Sequence, residues 1–80
     1  MAVRCHLTHT DPSQNMARFY CMTVQPTLFG EWSLVREWGR IGRAGQVRAT
    51  HFMTSREAEA ALDAIGRKKE RKGYMRQPQG

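Results

Sequence analysis

The spacing of the apolar residues changes at Thr54, and this change divides the 80-residue chain into a strand-forming part and a helix-forming part. Beyond Thr54, apolar residues recur at the three- and four-residue intervals of one helix face: Ala58, Ala61, Leu62 and Ile65. Thr54 and Glu57 have the spacing of a capping box, in which both side chains satisfy free N–H groups at a helix start. The sequence therefore predicts one amphipathic helix that begins after Thr54 and ends near Gly73, a residue type that favours helix C-termini.

Before Thr54, the chain shows the two-residue alternation and the β-suited residues that are typical of strands. Four strands are predicted, over residues 3–8, 18–25, 31–41 and 47–52. Short connections favour antiparallel pairing of successive strands, and an amphipathic helix needs a sheet face to cover. The predicted fold is therefore α+β, with a four-stranded antiparallel, meander-like sheet and one helix packed on one face.

The length and charge of the chain restrict its function. A chain of 80 residues makes one small domain, predicted over 1–76 with a disordered tail at 77–80, and leaves little room for an enclosed active site. A formal net charge of +6 favours anionic partners, chiefly nucleic acid or an anionic membrane surface. No apolar run approaches the roughly 20 residues of a membrane span, so no membrane partner is expected.

The start of the chain and its two cysteines predict a cytoplasmic protein, associated with the nucleoid if it is bacterial. Arg4, His6 and His9 interrupt the apolar stretch that a secretory signal would need. Cys5 and Cys21 do not make a disulfide framework, which favours a reducing compartment, although the two could still face each other across neighbouring strands. A monomer is expected.

The segment from Arg36 to Gln46 has the composition of a nucleotide-binding surface. Its eleven residues include Trp38, three arginines and three glycines. An aromatic ring stacks on nucleotides with little regard to base identity, and guanidinium groups bind phosphate in a two-pronged way. Glycines let the backbone turn tightly and approach a ligand closely. The segment therefore predicts nucleic-acid binding through stacking and phosphate contacts.

Four stretches of the chain match one known family in order and spacing. They are residues 18–20 (Arg-Phe-Tyr), 36–42 (Arg-Glu-Trp-Gly-Arg-Ile-Gly), 52–58 (Phe-Met-Thr-Ser-Arg-Glu-Ala) and the pair Lys69 and Tyr74. Over about residues 17–75, the chain resembles a WGR domain. This family is named for a Trp-Gly-Arg tripeptide, which is Trp38, Gly39 and Arg40 here.

The resemblance implies an antiparallel sheet with one helix and a role in binding DNA. In DNA-break-sensing poly(ADP-ribose) polymerases, the WGR domain grips DNA near a strand end and relays that event to a separate catalytic domain. There the tryptophan stacks on a terminal nucleotide sugar and the arginine reaches the backbone, roles that fall on Trp38 and Arg40. This chain has no room for the polymerase catalytic domain, so ADP-ribosylation and the relay do not transfer.

Eight residues are predicted to bind nucleic acid, with DNA expected over RNA: Trp38, Gly39, Arg40, Arg36, Arg43, Arg48, Lys69 and Lys72. Strand parity places Arg36 and Arg40 on the same side as Trp38, where buried unpaired guanidinium groups would be costly. Gly39 leaves the opposite side bare. Two ordinary interpretations compete with these predictions. A strand tryptophan is usually part of the core, and a basic run such as 67–72 usually forms a solvated helix end.

Metal binding and catalysis are not predicted, and no cofactor is expected. The histidines and cysteines lack the spacing of a zinc site, since His6 and His9 are three apart on a strand and point to opposite faces. The acidic residues are scattered, and Cys21 has no evident base beside it. The protein is therefore predicted not to be an enzyme.

A protein-interaction adaptor is the alternative to a nucleic-acid-binding module. Exposed aromatic side chains anchor protein interfaces, and Trp32 and Phe29 are the candidate anchors. Exposure of either ring would favour docking onto a separate partner protein.

Overall fold

The computed structural model describes residues 3–78, and within them the chain forms five strands and one helix. In chain order these are β1 (Val3–Asp11), β2 (Met16–Pro26), β3 (Trp32–Arg40), β4 (Gln46–Phe52), α1 (Ser55–Arg71) and β5 (Met75–Arg76). A short 3-10 turn, Pro12–Gln14, joins β1 to β2. All four predicted strands and the predicted helix are present, and the α+β class is confirmed.

The sheet has one strand more than the sequence predicts. The strand order in the described part of the chain is β4-β3-β2-β1-β5, and every neighbouring pair is antiparallel. The prediction of four strands is therefore wrong, because β5 is only two residues long and shows no readable alternation. Arg76 and Met75 of β5 pair with Leu7 and Thr8 of β1.

Hydrogen bonds extend this pairing beyond β5. The backbone N–H of Gln77 donates to the carbonyl oxygen of His6 over 2.8 Å, and its side-chain amide donates to the Thr8 hydroxyl over 2.7 Å. Gln77, which the sequence assigns to the tail, is therefore anchored to β1. Gln79 and Gly80 lie outside the described residues, and a disordered tail there stays a prediction.

The core lies between one face of the sheet and α1. The largest fully buried side chains are Leu7, Met22, Val24 and Leu34. Ala58 and Leu62 bury the helix against them, and Ala61 and Ile65 are half-buried on the same cluster. The predicted apolar stripe of the helix is therefore confirmed. This burial orients α1 so that its C-terminal turn lies over the sheet near β2 and β3.

The two ends of α1 are capped as the sequence predicts. The Thr54 hydroxyl oxygen accepts the Glu57 N–H over 3.1 Å, and the same hydroxyl donates to the Glu57 carboxylate. At the other end, Gly73 adopts a φ of +102°. The N–H groups of Gly73 and Tyr74 donate to the carbonyl oxygens of Glu70 and Lys69, which is the Schellman arrangement. This turn directs Tyr74 back towards the sheet.

Gly66 makes room for β5 on the surface of α1. The sequence treats it only as a weak point in the helix, but a Cβ there would lie 2.6 Å from Nη2 of Arg76. The Arg76 guanidinium reaches the carboxylates of Glu70 at 3.2 Å and Asp63 at 3.8 Å. The arginine therefore crosses the helix at Gly66 and fastens the C-terminal segment to it.

The cysteines do not face each other. Cys5 pairs in register with Met22 and Cys21 with His6, so the two thiols project from opposite faces of the sheet. Both are free, and burial raises the pKa of the Cys5 thiol. Within residues 3–78, no helix combines the length and apolar character needed to cross a bilayer.

The turn between β3 and β4 requires glycine at position 45. A Cβ on Gly45 would collide with the carbonyl oxygen of Trp38 and would lie 2.9 Å from the Phe19 ring. A Cβ on Gly39 would lie 3.0 Å from the Cα atom of Gly45 and 3.6 Å from the same ring. The side of the sheet that the sequence left bare at Gly39 is thus covered by the chain's own Phe19 and Gly45.

We expect Gly45→Ala to lower the free energy of unfolding by about 1–3 kcal/mol, because the backbone of Trp38 must shift to admit the methyl group. Urea unfolding followed by circular dichroism measures the change. Ala44→Ser, on the exposed neighbouring residue, should stay within about 0.5 kcal/mol of the parent. Equal stabilities of the two variants would contradict the proposed close approach.

Candidate nucleic-acid interface

Trp38 lies beside Tyr20 on the face of the sheet that α1 covers. The two residues are paired in register across β2 and β3, so both side chains project from the same face. Their rings are nearly parallel, with centroids 5.9 Å apart and planes inclined by 20°. Tyr20 is buried, whereas Trp38 is only half-buried and packs against the rim of the core. The indole is therefore supported by the core without being enclosed in it.

A cleft of about 490 Å³ opens next to this pair of rings. It is formed by β2, by the end of β3 and by the C-terminal turn of α1. Its lining residues are Arg18, Phe19, Tyr20, Trp38, Gly39, Arg40, Lys69 and Tyr74. The volume is that of a small-ligand pocket. The cleft combines aromatic rings with three cationic side chains, a composition suited to a nucleotide with its phosphate.

Of the two arginines that line the cleft, Arg40 is held by neutral oxygens. Arg18 and Arg40 are direct neighbours across β2 and β3. The Arg40 guanidinium donates to the backbone oxygen of Asn15 at 3.1 Å and to its side-chain oxygen at 3.2 Å. Asn15 has a φ of +52°, which presents both oxygens to the same guanidinium. Within residues 3–78, no carboxylate pairs with a cation that lines the cleft. Arg40 is thus oriented while its charge stays available.

Lys69 is the cation most closely surrounded by aromatic rings. Its Nζ atom lies 4.5 Å from the centroid of Tyr20 and 5.4 Å from that of Tyr74. Burial lowers the pKa of Lys69, and the neighbouring cations lower it further: Lys72, Lys68, Arg36 and Arg18. An anion in the cleft would offset this repulsion and favour the protonated amine.

Arg36 supports the rings from outside the cleft. Its guanidinium carbon lies 6.0 Å from the centre of the Trp38 ring, and Nη1 donates to the Tyr20 hydroxyl over 3.3 Å. Its Nε atom is buried without a hydrogen-bond partner. Arg36 is therefore placed to hold Tyr20 and Trp38 in position, rather than to line the cleft as a direct contact.

The structure brings together half of the eight predicted residues. Trp38, Gly39, Arg40 and Lys69 line the cleft. Arg43, Arg48 and Lys72 are exposed outside its lining. Arg43 lies in the turn after β3, Arg48 pairs with Arg36 across β3 and β4, and Lys72 follows α1.

Sequence reasoning did not assign four lining residues to the site: Arg18, Phe19, Tyr20 and Tyr74. A signal for them was present, because all four lie in the stretches that carry the family resemblance. Tyr20 lies within the predicted strand over residues 18–25, and Tyr74 directly follows Gly73, near which the predicted helix ends. The sequence pattern does not indicate which residues of the neighbouring strands Tyr20 and Tyr74 contact.

The cleft residues include the tripeptide that defines a known family, and the WGR domain model matches residues 3–80. The chain belongs to the WGR domain family. Uncharacterized protein y4dW of Sinorhizobium fredii is 41% identical over 75 residues, which is 94% of this chain and 37% of that protein. This WGR domain thus spans well under half of its relative.

A solved structure has the same fold. A crystal structure of a Bacteroides fragilis protein matches this WGR domain with a TM-score of 0.78 over 95% of this chain and 20% of the other. The sequence identity is 22%, so the similarity concerns the fold alone.

We expect Lys69 in the folded WGR domain to lose its proton at a lower pH than in the unfolded chain. Its folded-state pKa is lowered, so the neutral amine becomes populated earlier as the pH rises. Side-chain NMR of the lysine Cε and Nζ atoms, recorded with and without urea, measures both titrations. An added polyanion should move the folded-state titration back to higher pH. A folded-state titration at or above the unfolded one would contradict the burial of Lys69.

Proposed function

We propose that this WGR domain is a non-enzymatic module that binds DNA at or near strand ends, with little preference for base sequence. The observation that supports this most directly is the position of the half-buried Trp38 at a cleft whose cations have no carboxylate partners within residues 3–78. Unneutralised cations beside aromatic rings bind a polyanion that carries flat groups.

The proposed roles follow from the geometry. The ring of Trp38, fixed against Tyr20, stacks on a sugar or base, and Tyr74 adds a further aromatic ring to the lining beside Lys69. Arg18, Arg40 and Lys69 contact phosphate oxygens. Stacking and phosphate contacts carry little sequence information, which supports binding without base preference. Arg43, Arg48 and Lys72 extend the positive surface around the cleft and add longer-range attraction.

Recognition of an end is supported by the shape of the site. A concave pocket of about 490 Å³ is suited to a small group, such as one terminal nucleotide, rather than to the side of a long DNA duplex. Within a continuous duplex, both neighbours cover each nucleotide, whereas a terminal nucleotide exposes one face to an aromatic ring. The family resemblance points to the same mode of binding through Trp38 and Arg40.

We expect Trp38→Ala to weaken binding to DNA with ends by about 1–3 kcal/mol, the contribution of one stacked ring. Fluorescence anisotropy or filter binding with nicked, blunt-ended and closed circular DNA gives the affinities. Phe29→Ala is the matched control, because it removes an exposed aromatic ring at the opposite end of β2. Thermal unfolding of both variants shows that the fold is kept.

Two outcomes would remove parts of the proposal. Equal affinity for all three forms of DNA would remove end recognition while leaving general backbone binding. Absence of binding to any DNA or RNA at low salt would remove nucleic-acid binding altogether.

A second candidate function, docking onto a partner protein, is favoured by the turn between β2 and β3. Leu28 is 97% exposed and Phe29 is 86% exposed there. The turn is ordered by Thr27, whose hydroxyl oxygen accepts the N–H groups of Phe29 and Glu31. Trp32, the other predicted anchor, instead packs half-buried against the core.

If this turn docks a protein, replacing Leu28 and Phe29 with serine should abolish capture of a partner that remains bound after nuclease treatment. Trp38→Ala should leave that capture unchanged. Affinity purification with quantitative mass spectrometry makes the comparison. A partner lost on nuclease treatment would indicate bridging by nucleic acid instead.

A further inference from the structure

The outer edge of β4 is an unpaired strand edge in the described part of the chain. β4 ends the strand order, and it pairs with β3 along its whole length, from Trp32 opposite Phe52 to Trp38 opposite Gln46, without a bulge. Residues 46–51 are all exposed. Backbone N–H and C=O groups on the outer side of such a strand are free to pair with another strand.

The other edge of the sheet is treated differently. β1 is covered there by β5 and by the hydrogen bonds of Gln77 to His6 and Thr8. A two-residue strand fastened to the helix through Arg76 leaves little edge for another chain. Among residues 3–78, nothing comparable covers β4. The strand contains neither proline nor glycine and only one charged side chain, Arg48. The features by which proteins usually protect an edge are therefore largely missing from β4.

We infer that β4 pairs with β4 of a second copy of this chain, in antiparallel register about Ala49, to form one continuous ten-stranded sheet from two five-stranded ones. This inference does not depend on the proposed function, and it departs from the monomer expected from the sequence.

In this register, the residues of β4 in the two copies form compatible cross-strand pairs. Ala49, a small residue, stands opposite Ala49 of the second copy at the dyad. Arg48 stands opposite Thr50, and Val47 stands opposite His51 of the second copy. No two cations are directly opposed. A shift of the dyad to Arg48 would place two guanidinium groups directly opposite each other, which is unfavourable.

The placement of α1 leaves room for the second copy. α1 packs mainly on β2 and β3, and the side chains of residues 46–51 stay exposed. An antiparallel pair has its two-fold axis perpendicular to the sheet, so both helices lie on the same face and on either side of the joined strands. The two copies thus meet through the backbone of β4 without a clash between their helices.

The two clefts of such a dimer would open on one face. Standard strand spacings put the two Trp38 Cα atoms about 25 Å apart, because Trp38 is three residues along and one strand away from the dyad. If the proposed function holds, one dimer would therefore hold two strand ends close together.

Charge predicts how the dimer responds to salt. The two Arg48 side chains share one face and stand diagonally across the dyad, about 7–8 Å apart. Salt screens this repulsion, so dimerisation should strengthen with salt. Binding to DNA weakens with salt, because counterion release opposes it. Dimerisation and DNA binding can therefore be distinguished by their opposite responses to the same increase in salt concentration.

Analytical ultracentrifugation of the DNA-free protein, from micromolar concentrations to about 1 mM and in about 0.5 M NaCl, tests the inference. We expect a reversible monomer–dimer equilibrium. Ala49→Arg and Ala49→Glu should each weaken it about tenfold or more, because each opposes two like charges at the dyad. An equimolar mixture of the two variants should restore the dimer, because the charges are then opposite.

Gln46→Arg is the matched control, since it adds a cation on the same strand opposite the second copy's Phe52, and it should leave the equilibrium near that of the parent. Ala49 is exposed, and circular dichroism checks that the fold is kept. A protein that stays monomeric throughout the concentration range would overturn the inference. So would a dimer that neither Ala49 variant weakens, or a mixture that stays monomeric. These results involve no DNA, so they leave the proposed function to its own test.

Discussion

The Tyr20 side chain connects nearly every part of the site. Its ring stacks with Trp38, lies under the Lys69 amine and meets the edge of Tyr74 at a centroid distance of 6.5 Å. Its hydroxyl oxygen accepts a hydrogen bond from the Arg36 guanidinium. Because Tyr20 is also buried in the core, the orientation of these groups is set by the packing of α1 on the sheet. The cleft is therefore continuous with the core, and a substitution in the core would alter the positions of the side chains that line the cleft.

The arrangement of cations is costly to the protein by itself, and it would favour the binding of an anion. Lys69 is held where burial and neighbouring positive charges lower its pKa, and Arg36 has a buried Nε atom without a partner. Groups placed in this way lose hydration without gaining an opposite charge within residues 3–78. A polyanion would compensate for that loss. Sites that bind ligands are often less stable locally than they would be if packing alone decided their composition.

The sequence predicts the larger elements of this fold well, because their signals are local. The stripe from Ala58 to Ile65 and the capping pair Thr54 and Glu57 each lie within a few turns of one helix. β5 was missed because two residues are too few to show a period, and its formation depends on the turn at Gly73 and on the edge of β1. A strand held only by distant partners has no local signature.

The site was predictable in part, for the same physical reason. Parity placed Arg36, Trp38 and Arg40 on one face, and the register of β3 agrees with this. Parity does not say which residue of a neighbouring strand lies opposite. The pairing of Tyr20 with Trp38, and the return of Tyr74 towards the cleft, follow from strand register and from the helix end. Tyr20 and Tyr74 therefore reach the site through the tertiary fold, which the local sequence pattern does not specify.

Phe19 and Tyr20 are consecutive, and they project from opposite faces of β2. Phe19 packs on Gly39 and Gly45, while Tyr20 stacks with Trp38. A slip of β2 by a single residue would exchange the two rings and lose both contacts at once. The chain thus has no intermediate alignment in which half of the cleft exists. If the proposed function holds, the ability to bind DNA should therefore appear and disappear together with the complete sheet, and DNA affinity would report on correct strand alignment.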